Sequence, residues 1–110
     1  MNVQFKKGVL DLCVLAVVAE GDCYGYELVK RISENIEIAE GTIYPLLRKF
    51  QNEGYCETYL TESSGGPPRK YYRLTVAGRR MRDQLIAEWT KFSKSVDTII
   101  TANKGGRSNG

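Results

Sequence analysis

The sequence predicts a mainly α-helical fold with one small β-hairpin, an α+β domain in which a long helix ends the chain. Three patterns predict it: apolar residues at helical spacing through the first 50 residues, an alternating stretch around a Gly/Pro-rich turn at residues 63–68, and a second helical pattern over residues 76–103. The chain has 110 residues, which is enough for one domain with one core.

The first predicted helix covers residues 5–20. Its positions 9–18 are apolar nearly all the way round, so this helix must be buried on more than one side. A strand over residues 14–18 is the competing interpretation, but the unbroken length favours a helix. A second helix follows over residues 24–34, with Asp22 as its predicted N-cap.

The third predicted helix lies in the stretch 41–50 and ends before Gly54. Its apolar residues recur at i, i+3, i+4 and i+7 and form one face: Ile43, Leu46, Leu47 and Phe50. The opposite side then carries Thr42, Tyr44, Pro45, Arg48 and Lys49. Such a small-polar, aromatic and basic face fits a DNA major groove. The same pattern alone also fits an ordinary surface helix.

Two predicted strands, residues 55–62 and 69–75, flank the turn at 63–68 and form the hairpin. Arg69 and Lys70 make the base of its return strand cationic. Tyr71 and Tyr72 point to opposite faces of the sheet, so one is expected in the core and the other exposed.

The last predicted helix begins after Thr75, its expected cap, and runs to about residue 103. From Leu85 its apolar residues step by four, three, four and three, which is a heptad seam: Leu85, Trp89, Phe92, Val96 and Ile99. A second copy of the chain is the simplest cover for this seam, and the first helix is the obvious second wall. We therefore expect a homodimer, with residues 1–75 as the DNA-binding unit, residues 76–103 as the dimerisation helix and residues 104–110 as a disordered tail.

Composition excludes several classes of function. The chain contains no histidine, and its three cysteines show no C-x-x-C spacing, so we expect reduced cytosolic thiols, no metal, no cofactor and no catalytic residue. The longest apolar run is too short to span a bilayer, and no secretory signal is recognisable. These features predict a cytoplasmic protein that does not act at a membrane and is not an enzyme.

The net charge is only +3, but the cations are clustered. Residues 69–82 carry six of them without one acidic residue: Arg69, Lys70, Arg73, Arg79, Arg80 and Arg82. Helix, turn, helix and cationic hairpin are the parts of a winged helix-turn-helix. In a twofold dimer the third helices would reach the two halves of a pseudo-palindromic DNA site. The alternative is a winged-helix module that binds proteins and does not read DNA.

Three motifs resemble the PadR-like transcriptional regulators, in particular their short type with a single C-terminal helix: YGYEL at 24–28, GTIYPLL at 41–47 and GPPRKYYRLTVAG at 66–78. The resemblance implies a homodimeric winged-helix repressor of nearby genes, often released from double-stranded operator DNA by a small molecule. Together with the reasoning above, it makes these residues the expected DNA contacts: Tyr24, Thr42, Tyr44, Pro45, Arg48, Lys49, Arg69 and Lys70.

The same resemblance suggests an effector pore. In a multidrug-resistance regulator of this short type, a Trp in a context like AEWT at 87–90 lines a pore between subunits and stacks planar aromatic drugs. The corresponding pore residues here are Trp89, Phe92, Ser93, Phe5, Gly8 and Leu12. The alternative is that Phe92 fills the slot and that Trp89 only packs in the dimer interface.

Overall fold

The computed structural model describes the backbone of residues 3–105 and the side chains of residues 8–39 and 41–102. It confirms the predicted mainly α fold with a small antiparallel sheet. The elements, in chain order, are α1 (Val3–Glu20), β1 (Cys23–Tyr24), α2 (Gly25–Ser33), a short 3-10 turn (Glu40–Thr42), α3 (Ile43–Asn52), β2 (Cys56–Ser63), β3 (Gly66–Leu74) and α4 (Val76–Gly105).

The core forms where α1, α2 and α3 pack against one face of the sheet. All four apolar residues predicted for the inner face of α3 are buried, and Ile43 and Leu47 have no exposed surface. Val14 and Leu15 of α1 are equally buried, and their segment is helical, so the helix interpretation of residues 14–18 is confirmed. Because α3 buries this face, its opposite face must point outward.

The predicted N-cap of α2 is wrong. The helix begins two residues further along the chain than it would with Asp22 as its cap. Tyr24 is the N-cap, and its backbone N–H donates to Glu27 Oε1 at 3.2 Å. Asp22 Oδ2 instead accepts hydrogen bonds from the Tyr59 hydroxyl at 2.7 Å and from Arg73 Nε at 3.2 Å. These partners are distant in sequence, and they draw Asp22 to the sheet.

The sheet has three strands rather than the two that the sequence predicts. Its order is β1-β3-β2, and both pairings are antiparallel. β1 contributes only Cys23, opposite Tyr72, and Tyr24, opposite Tyr71. A strand of two residues has no alternating pattern, so the sequence gives no signal for it.

The tip of the hairpin is tighter than predicted. β3 begins at Gly66, so the turn is residues 64–65, with Gly65 in the left-handed region at φ 74°. The pairing shifts by one residue between Thr61, opposite Arg69, and Ser63, opposite Gly66. The two prolines of the tip enter β3 because β1 pairs only with Tyr71 and Tyr72, which leaves the early part of β3 without a neighbour on that side.

Thr75 caps α4 as predicted. The Gly78 backbone N–H donates to Thr75 Oγ1 at 3.0 Å, and this hydroxyl donates to the Gly54 carbonyl at 2.6 Å. Gly54 has a φ of 81° just after α3, which confirms it as the end of that helix. α4 continues to Gly105, slightly past its predicted end, and the rest of the predicted tail, residues 106–110, lies outside the described residues.

We expect Gly78→Ala to destabilise the fold, although alanine normally favours a helix interior. A Cβ at this position would lie 2.1 Å from the Tyr55 carbonyl oxygen and 2.7 Å from Leu74 Cδ1, so backbone must move. The expected loss is about 2–3 kcal/mol in the free energy of unfolding, measured by urea denaturation.

Gly21→Ala is the matched control, because a Cβ there meets nothing within 4 Å. Its stability should stay within about 0.5 kcal/mol of the wild type. A Gly78→Ala protein as stable as the wild type would contradict this description of the junction between α3, β3 and α4.

Candidate nucleic-acid interface

The outward face of α3 divides into two edges. Tyr44 and Arg48 are one turn apart and share the edge toward the hairpin, since Gln51, on the same edge, donates from Nε2 to Thr58 Oγ1 of β2 at 3.4 Å. Thr42, Pro45 and Arg48 are exposed, whereas Tyr44 is half-buried. The helix therefore presents hydroxyl, apolar and cationic groups together.

The Tyr44 ring is placed by a glycine. A Cβ at Gly25, the first residue of α2, would lie 2.7 Å from Tyr44 Cε1. The ring can rest against the start of α2 only because residue 25 has no side chain. This contact fixes the first turn of α3 against α2, which is the junction that defines the helix-turn-helix.

Tyr72 joins α3 to the hairpin. Burial raises the pKa of the Tyr72 phenol, Cys56 adds to this increase, the Arg48 guanidinium opposes it and Tyr44 adds slightly to it. Tyr44 and Arg48 of α3 therefore lie close enough to the Tyr72 phenol to influence its pKa. Lys70 Nζ is 5.7 Å from the centroid of the Tyr72 ring. Tyr44 and Arg48 of α3 thus lie near the Tyr72 phenol and Lys70 lies near its ring, and we call these three residues the groove-facing cluster.

Lys49, also predicted to face DNA, is outside this cluster. It lies on the other edge of α3, where its Nζ is 2.9 Å from Asp11 Oδ2 of α1 and 5.0 Å from the centroid of the Phe50 ring. The structure therefore directs this cation toward α1.

Arg69 and Lys70 are separated by the alternation of β3. Lys70 shares the core-side face with Leu60, its partner on β2, while Arg69 lies opposite Thr61 on the outer face. There the Arg69 guanidinium carbon is 4.6 Å from the centroid of the Tyr24 ring. The predicted pair of phosphate contacts is thus spread over both faces of the hairpin.

A row of aromatic rings covers the outer face of the sheet. Tyr71 makes an edge contact with Tyr24 at 5.5 Å between centroids and stacks on Tyr59 at 5.7 Å. The Arg73 guanidinium carbon is 4.6 Å from the centroid of Tyr59. The hydrogen bond that the Tyr59 hydroxyl donates to Asp22 raises the pKa of this phenol. The row fixes Tyr24, and with it Arg69, on the outer face of the sheet.

The sequence did not identify Tyr59, Tyr71 and Arg73 as supports of this surface. Alternation within β2 and β3 assigns each residue to a face. However, the contacts between the strands depend on the register, and the one-residue shift near the tip is not visible in the sequence.

A groove of about 270 Å³ lies between α1 and α4. Four of the predicted effector-pore residues line it, namely Gly8, Leu12, Trp89 and Phe92, together with Val9, Leu85 and Glu88. Ser93 is not among the lining residues, and its hydroxyl donates to the Thr90 carbonyl at 3.2 Å. The side chain of Phe5 lies outside the described residues.

The predicted seam of α4 is largely uncovered in a single chain. The exposed fractions are 42% for Trp89, 49% for Phe92 and 63% for Ile99, whereas Leu85 and Val96 are partly buried. Large apolar side chains are thus exposed in a row along α4.

The described residues show little sign of other chemistry. Among them, no group of three His, Cys, Asp or Glu residues is placed to hold a metal ion, and no helix is long and apolar enough to cross a membrane. Burial raises the pKa of both Cys23 and Cys56 to about 11, so these thiols stay protonated near neutral pH and are poor nucleophiles.

A helix-turn-helix with an outward-facing second helix, flanked by a cationic hairpin, defines a winged-helix protein. Residues 14–84 match the family described as "Transcriptional regulator PadR-like family". The chain therefore belongs to the PadR-like family of transcriptional regulators, as the sequence motifs predicted.

Similar proteins and solved structures agree with this family membership. An uncharacterized protein of Lysinibacillus sphaericus is 33% identical over 98 residues, 86% of this chain and 90% of that protein. The crystal structure of a Streptococcus transcriptional regulator matches with a TM-score of 0.81 and 35% identity, covering 89% of this chain and 98% of that one. The crystal structure of a PadR-like transcriptional regulator from Bacillus cereus matches with a TM-score of 0.79 and 36% identity, covering 88% of this chain and 96% of that one. Membership confirms a transcriptional regulator rather than an enzyme and supports DNA binding.

We expect Gly25→Ala to weaken DNA binding about tenfold without unfolding the protein. The added methyl group must displace the Tyr44 ring, and a flexible side chain can move at small cost to stability. The measurement is the dissociation constant for DNA from upstream of the gene, with the unfolding midpoint measured in parallel.

A double-mutant cycle with Tyr44→Ala provides the control. If Gly25 acts through Tyr44, the double variant binds no more weakly than Tyr44→Ala alone. Fully additive losses would show that Gly25 acts in another way.

Proposed function

We propose that this protein is a homodimeric transcriptional repressor that places one α3 helix of each subunit in the major groove of a pseudo-palindromic operator. The observation that carries the proposal is the groove-facing cluster, in which Tyr44 and Arg48 of α3 and Lys70 of the hairpin meet around Tyr72. One continuous surface thus offers groups for base edges and for the phosphates beside them.

Each part of this surface has its own task in the proposal. Thr42, Tyr44 and Pro45, at the start of α3, meet base edges and sugars, since the first residues of a recognition helix enter the groove most deeply. Arg48, Lys70 and Arg69 bind phosphates. The Tyr24 ring supports Arg69, and its hydroxyl can donate a hydrogen bond to a phosphate of the DNA strand that Arg69 binds.

The seam of α4 supports the dimer. Leu85, Trp89, Phe92, Val96 and Ile99 would pack against a second copy, with α1 as part of the same interface. In this arrangement residues 1–75 bind DNA and residues 76–103 hold the subunits together. A dimer bound across a promoter excludes other proteins from it, so we propose repression rather than activation.

The groove between α1 and α4 supports an effector site. Trp89 and Phe92 offer aromatic faces with centroids 6.4 Å apart, and Gly8 and Leu12 form the opposite wall. Glu88 is the acidic residue of the lining. A planar aromatic ligand would gain ~0.5–1.5 kcal/mol from stacking in this groove. A cation suits it better than a phenolic acid, because the Glu88 carboxylate repels an anion.

DNA binding is tested by removing two cations from the hairpin. The double variant Arg69→Ala, Lys70→Ala should weaken binding to every duplex. The plot of log affinity against log salt concentration should become less steep by about 3.6, because a dimer loses four phosphate contacts and each contributes about 0.9 to the slope. The measurement is a salt series with DNA from upstream of the gene.

Lys91→Ala with Lys94→Ala is the matched control, since it removes the same charge from exposed positions on the side of α4 away from the seam. Its slope should remain that of the wild type. Equal slopes for the hairpin variant and the wild type would contradict the proposed contacts, and a dimer that binds no DNA at low salt would favour the protein-interaction alternative.

The effector site is tested without DNA. Trp89 is the single tryptophan of the chain, so quenching of its fluorescence by a planar aromatic dye cation reports binding in the groove. Glu88→Gln should weaken binding of the cation about three- to tenfold and leave binding of a neutral aromatic compound of similar size unaffected. Absence of quenching by cations and by phenolic acids alike would leave Trp89 with interface packing only.

A further inference from the structure

Lys49 is the cation of α3 that the structure holds away from the hairpin. Its Nζ lies 2.9 Å from Asp11 Oδ2, and the two residues are 38 positions apart in the sequence. In an α-helix, consecutive residues are separated by about 100°. Arg48 therefore lies on the hairpin side of the exposed face, and Lys49 lies at the border of that face with α1.

The pair is better protected than an ordinary surface ion pair. The exposed fractions of the side chains are 35% for Lys49 and 21% for Asp11, and the Phe50 ring lies under the ammonium at 5.0 Å. The second carboxylate oxygen, Asp11 Oδ1, is buried and has no hydrogen-bond partner among the described residues. Releasing Lys49 would leave this carboxylate without its cation, which is costly for a partly buried charge.

We propose that Asp11 sets the DNA affinity of the protein by retaining Lys49, so that this lysine does not bind a phosphate. The inference rests on the proposed DNA binding. Asp11 neutralises the nearest additional cation of α3, so that the pair offers no net positive charge to the DNA backbone. It is a positioning residue on α1 that need not touch DNA.

Asp11→Asn tests the proposal, because it removes the charge and keeps the shape. We expect tighter binding to upstream DNA and a salt dependence that is steeper by about 1.8 for a dimer, one gained phosphate in each subunit. The gain should be largest at low salt and shrink by about tenfold between 50 and 200 mM. Asp97→Asn removes the same charge from an exposed position far along α4, and it should leave the slope unchanged.

Lys49→Gln completes the cycle. In the wild-type background it should leave the slope unchanged, since Lys49 is already engaged and binds no phosphate. In the Asp11→Asn background it should abolish the gain. A merely structural role of the pair would not give this pattern, because both single variants would then weaken binding without a change in slope.

Three results would overturn the proposal. The first is a shallower slope for Lys49→Gln alone, which would show that Lys49 already binds a phosphate. The other two are an unchanged slope for folded Asp11→Asn and weaker DNA binding by that variant. If Asp11→Asn does not fold, the salt dependence of Lys49→Gln alone tests the proposal: an unchanged slope supports it and a shallower slope overturns it. Failure of the proposed function is distinguishable, because the wild-type protein would then bind no DNA and the hairpin variant would show no change.

Discussion

The burial of one face of α3 is the constraint on which the rest of the structure depends. Ile43, Leu46, Leu47 and Phe50 are all in the core, and each contributes ~1.5–3 kcal/mol of apolar burial. Rotating the helix to turn Arg48 inward would lose this burial and desolvate a charge. The outward direction of the groove-facing cluster therefore follows from the core, and no separate interaction is needed to aim it.

Tyr72 connects this helix to the hairpin. Its ring is buried beneath Lys70, and its phenol is influenced by both Arg48 and Tyr44. The outer face of the sheet is fixed independently by the tyrosine row and by Asp22, which accepts from Tyr59 and Arg73. The helix and the hairpin thus pack together as one unit, and a backbone placed before binding reduces the entropy that binding costs.

Local patterns in the sequence predict most of the fold. The inner face of α3, the Thr75 cap and the end of α3 at Gly54 depend on residues close in sequence, and all three are confirmed. What the sequence leaves open depends on distant pairs. β1 exists only through its pairing with β3, and the engagement of Lys49 requires a carboxylate 38 residues away on another helix. The separation of Arg69 from Lys70, by contrast, follows from the local alternation of a strand.

The proposed function requires α3 to read the major groove from the two halves of a dimer. Methylation interference on DNA from upstream of the gene tests it most directly, because methylation of guanine N7 blocks the major groove. We expect two clusters of interfering guanines about one helical turn, or a multiple of it, apart. Binding that is insensitive to major-groove methylation would contradict it.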